Sequence, residues 1–152
     1  MKIKKLQIEN RLMLFKYLIE VQYDFTPPLF QRISERSTVQ NVNGYVDKVL
    51  SKANVFAILD KGKIVAAIAI YTNDIIECKA YIPILSVKDK YRGKGLASIL
   101  LERVVKCAKE CKMKVINIRT WPENKKAIEL YTRNGFNIIQ QDEFSIHLKN
   151  KL

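Results

Sequence analysis

The sequence has no long apolar run, few cysteines and a single histidine. No stretch approaches the roughly 20 apolar residues that span a bilayer, and residues 1–5 lead into an amphipathic pattern without a secretory apolar block. We therefore expect a cytoplasmic protein with no membrane partner. The three cysteines are an odd number in a chain without a signal peptide, so we expect reduced thiols and no disulfide framework.

Metal chemistry has little support in the sequence. His147 is the only histidine. Cys107 and Cys111 lie four apart on a predicted helix, but no further cluster of ligand-type residues accompanies them. We interpret the two cysteines as small, buried apolar residues and expect no metal site.

The chain is strongly basic, with 27 Lys and Arg residues against 15 Asp and Glu residues and a formal net charge of +12. Such a charge attracts polyanions, anionic membranes or anionic small molecules alike. The basic residues are spread along the whole chain, and only short pairs such as Lys4-Lys5 and Lys125-Lys126 occur. Because no basic arm or recognition module is present, we expect a solvated basic surface and no nucleic-acid partner.

Hydrophobic periodicity and turn residues predict an alternation of helices and strands. The predicted elements are helices at 6–25 and 43–52, strands at 55–59, 64–71 and 80–87, a helix at 95–112, a strand at 115–120, a helix at 124–134, and strands at 138–139 and 144–148. This order indicates an α/β (α+β) fold, in which a mixed, mostly antiparallel sheet is flanked by helices. Since no repeat or linker occurs, we expect one domain over residues 1–152.

Several boundaries within this scheme rest on local patterns. The first helix is predicted from the helical spacing of its apolar residues, which are Leu12, Phe15, Leu18, Ile19 and Val21. It is expected to end at 26–28 and to be followed by a loop through 34–38. The residues 60–63 have the chemistry of a tight hairpin turn, and a second turn is expected around 73–74.

Pro83 interrupts the strand predicted at 80–87. Proline has no N–H group with which to complete a central ladder, so this position predicts a bulge or a local parting of two strands. An ordinary bulge or edge strand without a ligand is the alternative interpretation.

The segment from Val87 to Ala97 joins this strand to the start of a long helix, where unpaired backbone N–H groups attract anions. Gly93 and Gly95 lack a Cβ atom, so the backbone can curl around phosphate oxygens, and a basic residue precedes each glycine. This pattern favours a pyrophosphate site, although a plain strand-to-helix turn could use both glycines. The nucleoside-triphosphate loop and the dinucleotide fingerprint both fail, the latter because Ser98 stands where a third Gly or Ala is required.

The glycine loop, the helix after it and the segment 124–136 together resemble the GNAT superfamily of acetyl-CoA-dependent N-acetyltransferases, in its uncharacterised bacterial form. The family's loop pattern is Gln/Arg-x-x-Gly-x-Gly/Ala, and residues 90–95 fit it except that Lys90 stands at the first position. Lysine keeps the charge there but not the fork geometry of arginine. The resemblance covers roughly residues 55–148, and the sequence shows no obvious first strand of the usual fold.

The resemblance implies that acetyl-CoA is the co-substrate and that its acetyl group passes directly to an amine, or less often a hydroxyl, of a small-molecule or peptide acceptor. The residues that it assigns to cofactor binding are Leu85, Val87, Arg92, Gly93, Lys94, Gly95, Leu96, Ala97 and Asn124. Of these, Leu85 and Val87 would offer backbone groups to the pantetheine arm. Asn124 would contact the cofactor, and it is also a good helix N-cap.

Tyr131 matches the tyrosine that the family commonly places near the thioester sulfur, where its hydroxyl would act as general acid. A core aromatic at helical spacing is the alternative. No general base is evident, because Asp74 and Glu77 suit a solvated turn, with Tyr71 and Tyr81 as other wall residues. A non-catalytic acyl-CoA-binding regulatory module is therefore the competing function.

The predicted strand at 144–148 could also pair with the same strand of a second copy, which would make a homodimer.

Overall fold

A mixed sheet with helices on both faces confirms the fold class that the sequence predicts. The computed structural model describes residues 1–25, 28–29 and 42–152. Within these residues the strands are β1 (Lys2–Lys5), β2 (Asn54–Asp60), β3 (Lys63–Asp74), β4 (Lys79–Val87), β5 (Val115–Thr120), β6 (Asn137–Gln141) and β7 (Ile146–Lys151), and the α-helices are α1 (Arg11–Val21), α2 (Val42–Lys52), α3 (Leu96–Glu110) and α4 (Lys125–Arg133). The seven strands have the order β1-β2-β3-β4-β5-β7-β6, and only β4 and β5 pair in parallel.

The sheet separates two apolar cores. Helices α1 and α2 cover one face, which we call the α1–α2 face, and pack on small residues of β3 such as Ala67 and Ala69. Helices α3 and α4 cover the other, the α3–α4 face, where Leu100 and Val104 pack against Ile68 and its neighbours. The apolar stripe of α3 therefore faces the sheet, as the helical periodicity of this segment indicates.

The first strand, β1, was not evident from the sequence, and this part of the prediction is wrong. Lys2–Lys5 pairs antiparallel with β2, with Lys2 opposite Leu59 and Lys5 opposite Phe56. All four residues are exposed, so no apolar alternation marks the strand. Lysines along an edge strand keep other chains from pairing there. They also make the strand hard to recognise in the sequence, because they remove the alternation of apolar and polar residues.

The first helix begins later than predicted, and its buried face is different. A short 3₁₀ helix at Ile8–Asn10 precedes α1, whose buried residues are Leu14, Tyr17, Leu18 and Val21. The predicted inward residue Leu12 is 57% exposed, and Ile19 is 41% exposed. The buried set follows the i, i+3, i+4, i+7 pattern, but it includes a tyrosine whose hydroxyl needs a partner. The expected helix end at 26–28 and loop at 34–38 lie partly or wholly outside the described residues.

Tyr17 finds that partner in β4. Its hydroxyl lies 2.6 Å from Ser86 Oγ and donates to the Ser86 carbonyl oxygen at 3.2 Å. Both residues are buried, and burial raises the pKa of Tyr17, while the bond to Ser86 acts in the opposite direction. A buried polar pair of this kind is costly to break, because the remaining hydroxyl has no water to bond.

Tyr17→Phe is therefore expected to lower the free energy of unfolding by about 1–2 kcal/mol, because it leaves the Ser86 hydroxyl buried without its partner. Urea denaturation measures the change. Tyr23→Phe is the matched control, since Tyr23 is 78% exposed and its substitution should leave the unfolding midpoint unchanged. Equal stability of the two variants would contradict this role for Tyr17.

Of the two turns predicted between the early strands, one is confirmed and the other lies later in the chain than predicted. The β2–β3 hairpin is confirmed, with Asp60 opposite Lys63 and positive φ angles at Lys61 and Gly62, as a type I′ turn requires. The second turn is displaced, because β3 continues to Asp74 and the turn occupies 75–78. Asp74 Oδ1 accepts a hydrogen bond from the Glu77 N–H at 3.0 Å, which fixes this later position.

The carboxyl-terminal strands also differ from the prediction. The last strand starts at Ile146, while Phe144 lies before it and is 62% exposed. Strand β7 pairs with β5 on one side and β6 on the other, so it offers no free edge to a second copy. The structural reason for expecting a homodimer through this strand is therefore wrong. Asp142 Oδ1 accepts the N–H groups of Phe144 and Ser145, which holds the chain in a turn where a strand was predicted.

The cysteine interpretation is half right. Cys107 is buried in the α3–α4 core, but Cys111 ends helix α3 and is exposed. Both are free thiols, as is Cys78. Within the described ranges, no group of three or more His, Cys, Asp or Glu side chains is arranged to hold a metal ion.

Candidate active site

The β4 and β5 strands separate partway along their length. They form a parallel ladder from Lys79 and Val115 to Tyr81 and Asn117, and the pairing stops there. Beyond that point β4 continues to Val87 paired with β3, and β5 continues paired with β7. A wedge therefore opens between two strands in the middle of the sheet, with backbone groups along its walls.

Pro83 lies where the wedge begins, which confirms the predicted irregularity. Ala69 pairs with Ile84 and Tyr71 with Tyr81, so β4 carries one more residue than β3 between these pairs. This is a β-bulge, and it changes the side of the sheet on which the even-numbered side chains lie: Ala80 and Ile82 belong to the α3–α4 core, whereas Ile84 belongs to the α1–α2 core. Proline fits here because its missing N–H removes a ladder bond at the place where the ladder ends.

The backbone of Leu85 and Val87 is directed into the wedge. The Lys88 N–H donates to the Val65 carbonyl at 2.8 Å, and in an antiparallel ladder every second residue bonds to the same neighbour. Ser86 therefore bonds toward β3, while Leu85 and Val87 turn their N–H and C=O groups to the opposite side. That side is the one from which β5 has departed. The geometry thus provides a backbone wall of the kind that the family resemblance implies, and its role in ligand binding stays a prediction.

Arg92 has protein partners that sequence analysis did not anticipate. Its Nε donates to the Val87 carbonyl at 3.0 Å, and its guanidinium pairs with Asp24 at 3.0 Å and Asp89 at 3.3 Å. The Val87 carbonyl is thereby occupied, so Val87 offers only its N–H to the wedge. Arg92 joins the glycine loop to the residues that follow α1. Lys90 and Lys94 have no carboxylate partner among the described residues, and Lys94 is the one that lies between the two glycines.

The glycine loop has the open backbone that a phosphate site needs. Gly93 and Gly95 have φ angles of 77° and 78°, a region that side chains with a Cβ rarely enter. A Cβ atom at either glycine would have no atom within 4 Å, so the loop faces open space. Gly95 precedes the first turn of α3, which contains Leu96 and Ala97, and no side chain caps its N–H groups.

Tyr91 anchors the loop to the rest of the sheet. Its hydroxyl donates to Asp60 Oδ2 at 2.6 Å, which ties the loop to the β2–β3 hairpin. The Lys94 ammonium lies 5.4 Å from the centre of the Tyr91 ring, at cation–π distance. The loop is thus held in place by side chains that leave the backbone of its glycines free.

Asn124 precedes α4, as predicted, but its side chain does not cap the helix. The Asn124 carbonyl accepts the Ile128 N–H at 3.1 Å, whereas the side-chain amide donates to Thr120 Oγ1 at 3.2 Å. The exposed amide therefore lies at the end of β5. At the other end of α4, Asn134 Nδ2 lies 3.3 Å from Ser98 Oγ in the first turn of α3. This contact brings the two sequence motifs together.

Tyr131 lies in the α3–α4 core, and its relative solvent exposure is 7%. Its ring packs on Phe136 with 5.9 Å between centroids, so the core-aromatic interpretation is correct as far as the ring is concerned. Its hydroxyl makes no hydrogen bond to any residue that the structure describes. Burial, with a smaller contribution from Tyr81, raises the pKa of Tyr131, so the hydroxyl keeps its proton at neutral pH.

The two carboxylates considered as bases serve the turn before β4. Asp74 caps the turn, as described above, and Glu77 pairs with Lys79 at 2.7 Å on the surface. Tyr71 and Tyr81 face each other across β3 and β4 beside the wedge. Burial raises the pKa of Tyr71, with Tyr81 as the smaller cause, so Tyr71 stays protonated as well.

Sequence analysis missed a polar pair beside the wedge. Asn117 Nδ2 donates to the Ala80 carbonyl at 3.3 Å, and His147 Nε2 lies 2.9 Å from Asn117 Oδ1. The only available signal was the alternation of polar and apolar residues along β5 and β7, which assigns Asn117 and His147 to the side of the sheet opposite α3 and α4. Nothing in the sequence joined two residues that lie 30 positions apart.

The chain is similar in sequence to acetyltransferases. Residues 16–136 match the model of the acetyltransferase (GNAT) family. Over 82 residues, or 53% of this chain, the sequence is 35% identical to the N-alpha-acetyltransferase MAK3 of Arabidopsis thaliana, and the match spans 43% of that relative's length.

Solved structures show the same fold. The PaiA N-acetyltransferase of Thermoplasma acidophilum, in complex with coenzyme A, has a TM-score of 0.77 at 19% identity, covering 99% of this chain and 98% of that one. The GNAT domain of S. lividans PAT has a TM-score of 0.80 at 15% identity, covering 99% and 89%. Among the described residues of this chain, no helix is long and apolar enough to cross a membrane.

Proposed function

Because the chain belongs to the acetyltransferase (GNAT) family, we propose that it transfers an acetyl group from acetyl-CoA directly to an amine, or less often a hydroxyl, of a small-molecule or peptide acceptor. The observation that carries the proposal is the wedge between β4 and β5, one wall of which leads into the glycine loop at the start of α3. Peptide-like and phosphate groups of one extended ligand would find matching partners along this path.

The partners are arranged in the order of the ligand's own groups. The pantetheine amides would pair with the Leu85 backbone and the Val87 N–H, as a strand pairs with its neighbour. The pyrophosphate would bind the N–H groups from Gly93 to Ala97, with Lys94 supplying charge. Asn124 would contact the arm from the end of β5, and Arg92 would keep the loop in position through its carboxylate partners.

The chemistry follows from this placement. A neutral amine attacks the thioester carbonyl, a C–N bond forms and the C–S bond breaks. Backbone N–H groups at the wedge would polarise the carbonyl oxygen. Tyr131 would give its proton to the departing thiolate, since its raised pKa keeps the hydroxyl protonated. No covalent intermediate with the protein is needed.

The test is a screen for acceptor-dependent release of free thiol from acetyl-CoA. The panel contains a peptide with a free amino terminus, spermidine, amino acids, aminoglycosides and glucosamine, with the same peptide already acetylated as the matched control. We expect thiol release with at least one amine and an equal amount of acetylated product by mass spectrometry. Binding of acetyl-CoA without transfer to any acceptor would favour the non-catalytic acyl-CoA-binding regulatory module instead.

A further inference from the structure

The α1–α2 face carries a hydrogen-bonded chain of polar groups at the point where β4 and β5 part. Asn117 lies in the last β4–β5 pair, opposite Tyr81. His147 on β7 is opposite Arg119, which lies two residues further along β5, where β5 forms a wall of the open wedge. The His147 ring reaches back across β5 to the Asn117 side chain, whose amide continues to the Ala80 carbonyl of β4.

This chain fixes the proton on the histidine ring. The Ala80 carbonyl can only accept, so the Asn117 amide nitrogen must donate to it, and Asn117 presents its oxygen to His147. His147 Nε2 therefore carries a hydrogen and donates it across 2.9 Å. In the neutral ring the other nitrogen, Nδ1, then holds a lone pair. Nδ1 has no hydrogen-bond partner among the residues that the structure describes.

Burial and the neighbouring positive charges both favour the neutral form of the His147 ring. Partial burial is the main cause that lowers the pKa of His147, and Arg119 on β5 and Lys149 on β7 lower it further. From β6 the residue paired with it is Gln140, which has no charge. Because the pKa falls below the ordinary value of about 6.5, the unprotonated ring predominates at neutral pH.

We propose that His147, oriented by Asn117, is the general base that takes a proton from the acceptor's ammonium group on the α1–α2 face of the wedge. This inference rests on the proposed acetyl transfer and names the base that the sequence analysis left unassigned. Asn117 is a positioning residue, since it acts through the ring.

The protons balance across the reaction. An ammonium gives one proton to His147 Nδ1, and the neutral amine forms the C–N bond. The sulfur leaves with the Tyr131 proton, and the acylated nitrogen returns its surplus proton to the tyrosine oxygen. His147 then releases its proton to solvent, so one proton is released for each acetyl group transferred.

The first arm of the test needs no acceptor, because the chain has a single histidine and its ring signals require no assignment. Heteronuclear NMR of the full chain at neutral pH should show the ring hydrogen on Nε2, and a pH titration should give a pKa below that of an unstructured histidine. A hydrogen on Nδ1, or an ordinary pKa, would overturn the proposal whatever the enzyme's activity.

The second arm follows kcat/KM against pH, with spermidine and the free-amino-terminus peptide as probes. His147→Gln should lower kcat/KM at neutral pH about 100-fold or more and remove the acid limb of the profile, with the affinity for coenzyme A unchanged. Arg119→Gln should raise the His147 pKa and move the acid limb upward by the same amount. Arg133→Gln, an exposed arginine on α4, is the matched control and should shift neither.

The outcomes separate the two proposals. If His147→Gln still transfers acetyl groups and its profile of kcat/KM against pH keeps the acid limb, the role of His147 is wrong. The role is also wrong if the acid limb of Arg119→Gln does not move by the same amount as the His147 pKa measured by NMR. Neither result contradicts the proposed acetyl transfer. Coenzyme A binding with no transfer to either probe or to the wider panel overturns the proposed acetyl transfer as well. If His147→Gln fails to fold, Arg119→Gln still tests the role of His147, because Arg119 is exposed. The test is then whether the His147 pKa and the acid limb of the kcat/KM profile shift by the same amount.

Discussion

Replacing Gly93 and Gly95 together by valine should lower the affinity for coenzyme A by about 100-fold or more. Both residues have φ near +78°, where a β-branched side chain costs about 1–3 kcal/mol at each position. The loop can escape this strain only by turning its N–H groups away from the phosphates. Since about 1.4 kcal/mol corresponds to a factor of ten in affinity, strain at two positions accounts for the loss.

Isothermal titration with coenzyme A measures the effect, and Gly62→Val is the matched control. Gly62 has φ of 77° and open space at its Cβ position, but it lies in the β2–β3 hairpin turn and not in the loop. The control should lose stability and keep its affinity. Equal affinity of the double variant and the wild type would show that the loop does not bind the cofactor's phosphates.

Tyr131→Phe should lower kcat by about 100-fold to 10,000-fold, the range for removal of a general acid, while the affinity for coenzyme A stays nearly unchanged. The ring would keep its contact with Phe136, and the lost hydroxyl makes no hydrogen bond within the described structure. Stability should therefore be retained, in contrast to Tyr17→Phe, where the same chemical change breaks a buried bond to Ser86.

Stopped-flow measurement of thiol release checks this prediction, with Tyr23→Phe as the control for an exposed tyrosine. Because burial raises the pKa of Tyr131, the wild-type profile should show no loss of the acid up to at least the pKa of an ordinary tyrosine, about 10. An unchanged kcat in Tyr131→Phe would leave the residue as a core aromatic only.

The features that sequence analysis found are those with a local chemical signature. Gly93 and Gly95 were found because positive φ favours glycine, and Pro83 because a missing N–H disturbs a ladder. The helix at 124–134 was recognised from its residues, and Gly135 follows it with a φ of 93°, a region that favours glycine. In each case one residue type is sufficient to indicate the backbone geometry.

The features that sequence analysis missed depend on contacts between distant segments. Strand β1 is stabilised by pairing with β2 and not by its own lysine-rich residues. The buried face of α1 depends on Tyr17 finding Ser86, which lies 69 residues away. His147 and Asn117 likewise meet only because β5 and β7 are neighbours in the sheet, although β6 separates them in sequence.

Arg92 shows a second reason why the prediction from sequence was incomplete. Its charge beside the glycines suggested a phosphate ligand, but Asp24 and Asp89 pair with the guanidinium in the fold. Charge near a site does not by itself reveal which groups are free to bind. Under the proposed function we therefore expect Lys94 and the backbone N–H groups to bind the phosphates, while Arg92 holds the loop through its carboxylate partners.

Amide hydrogen exchange with and without coenzyme A tests the proposed binding in the wedge, because that proposal predicts which amides the cofactor protects. The Leu85 and Val87 amides face the wedge and should exchange rapidly in the free protein, then become protected when coenzyme A is bound. The Ser86 and Lys88 amides bond toward β3 and should be protected in both states. If the exchange rates of the Leu85 and Val87 amides stay the same when coenzyme A is bound, the cofactor does not bind in the wedge.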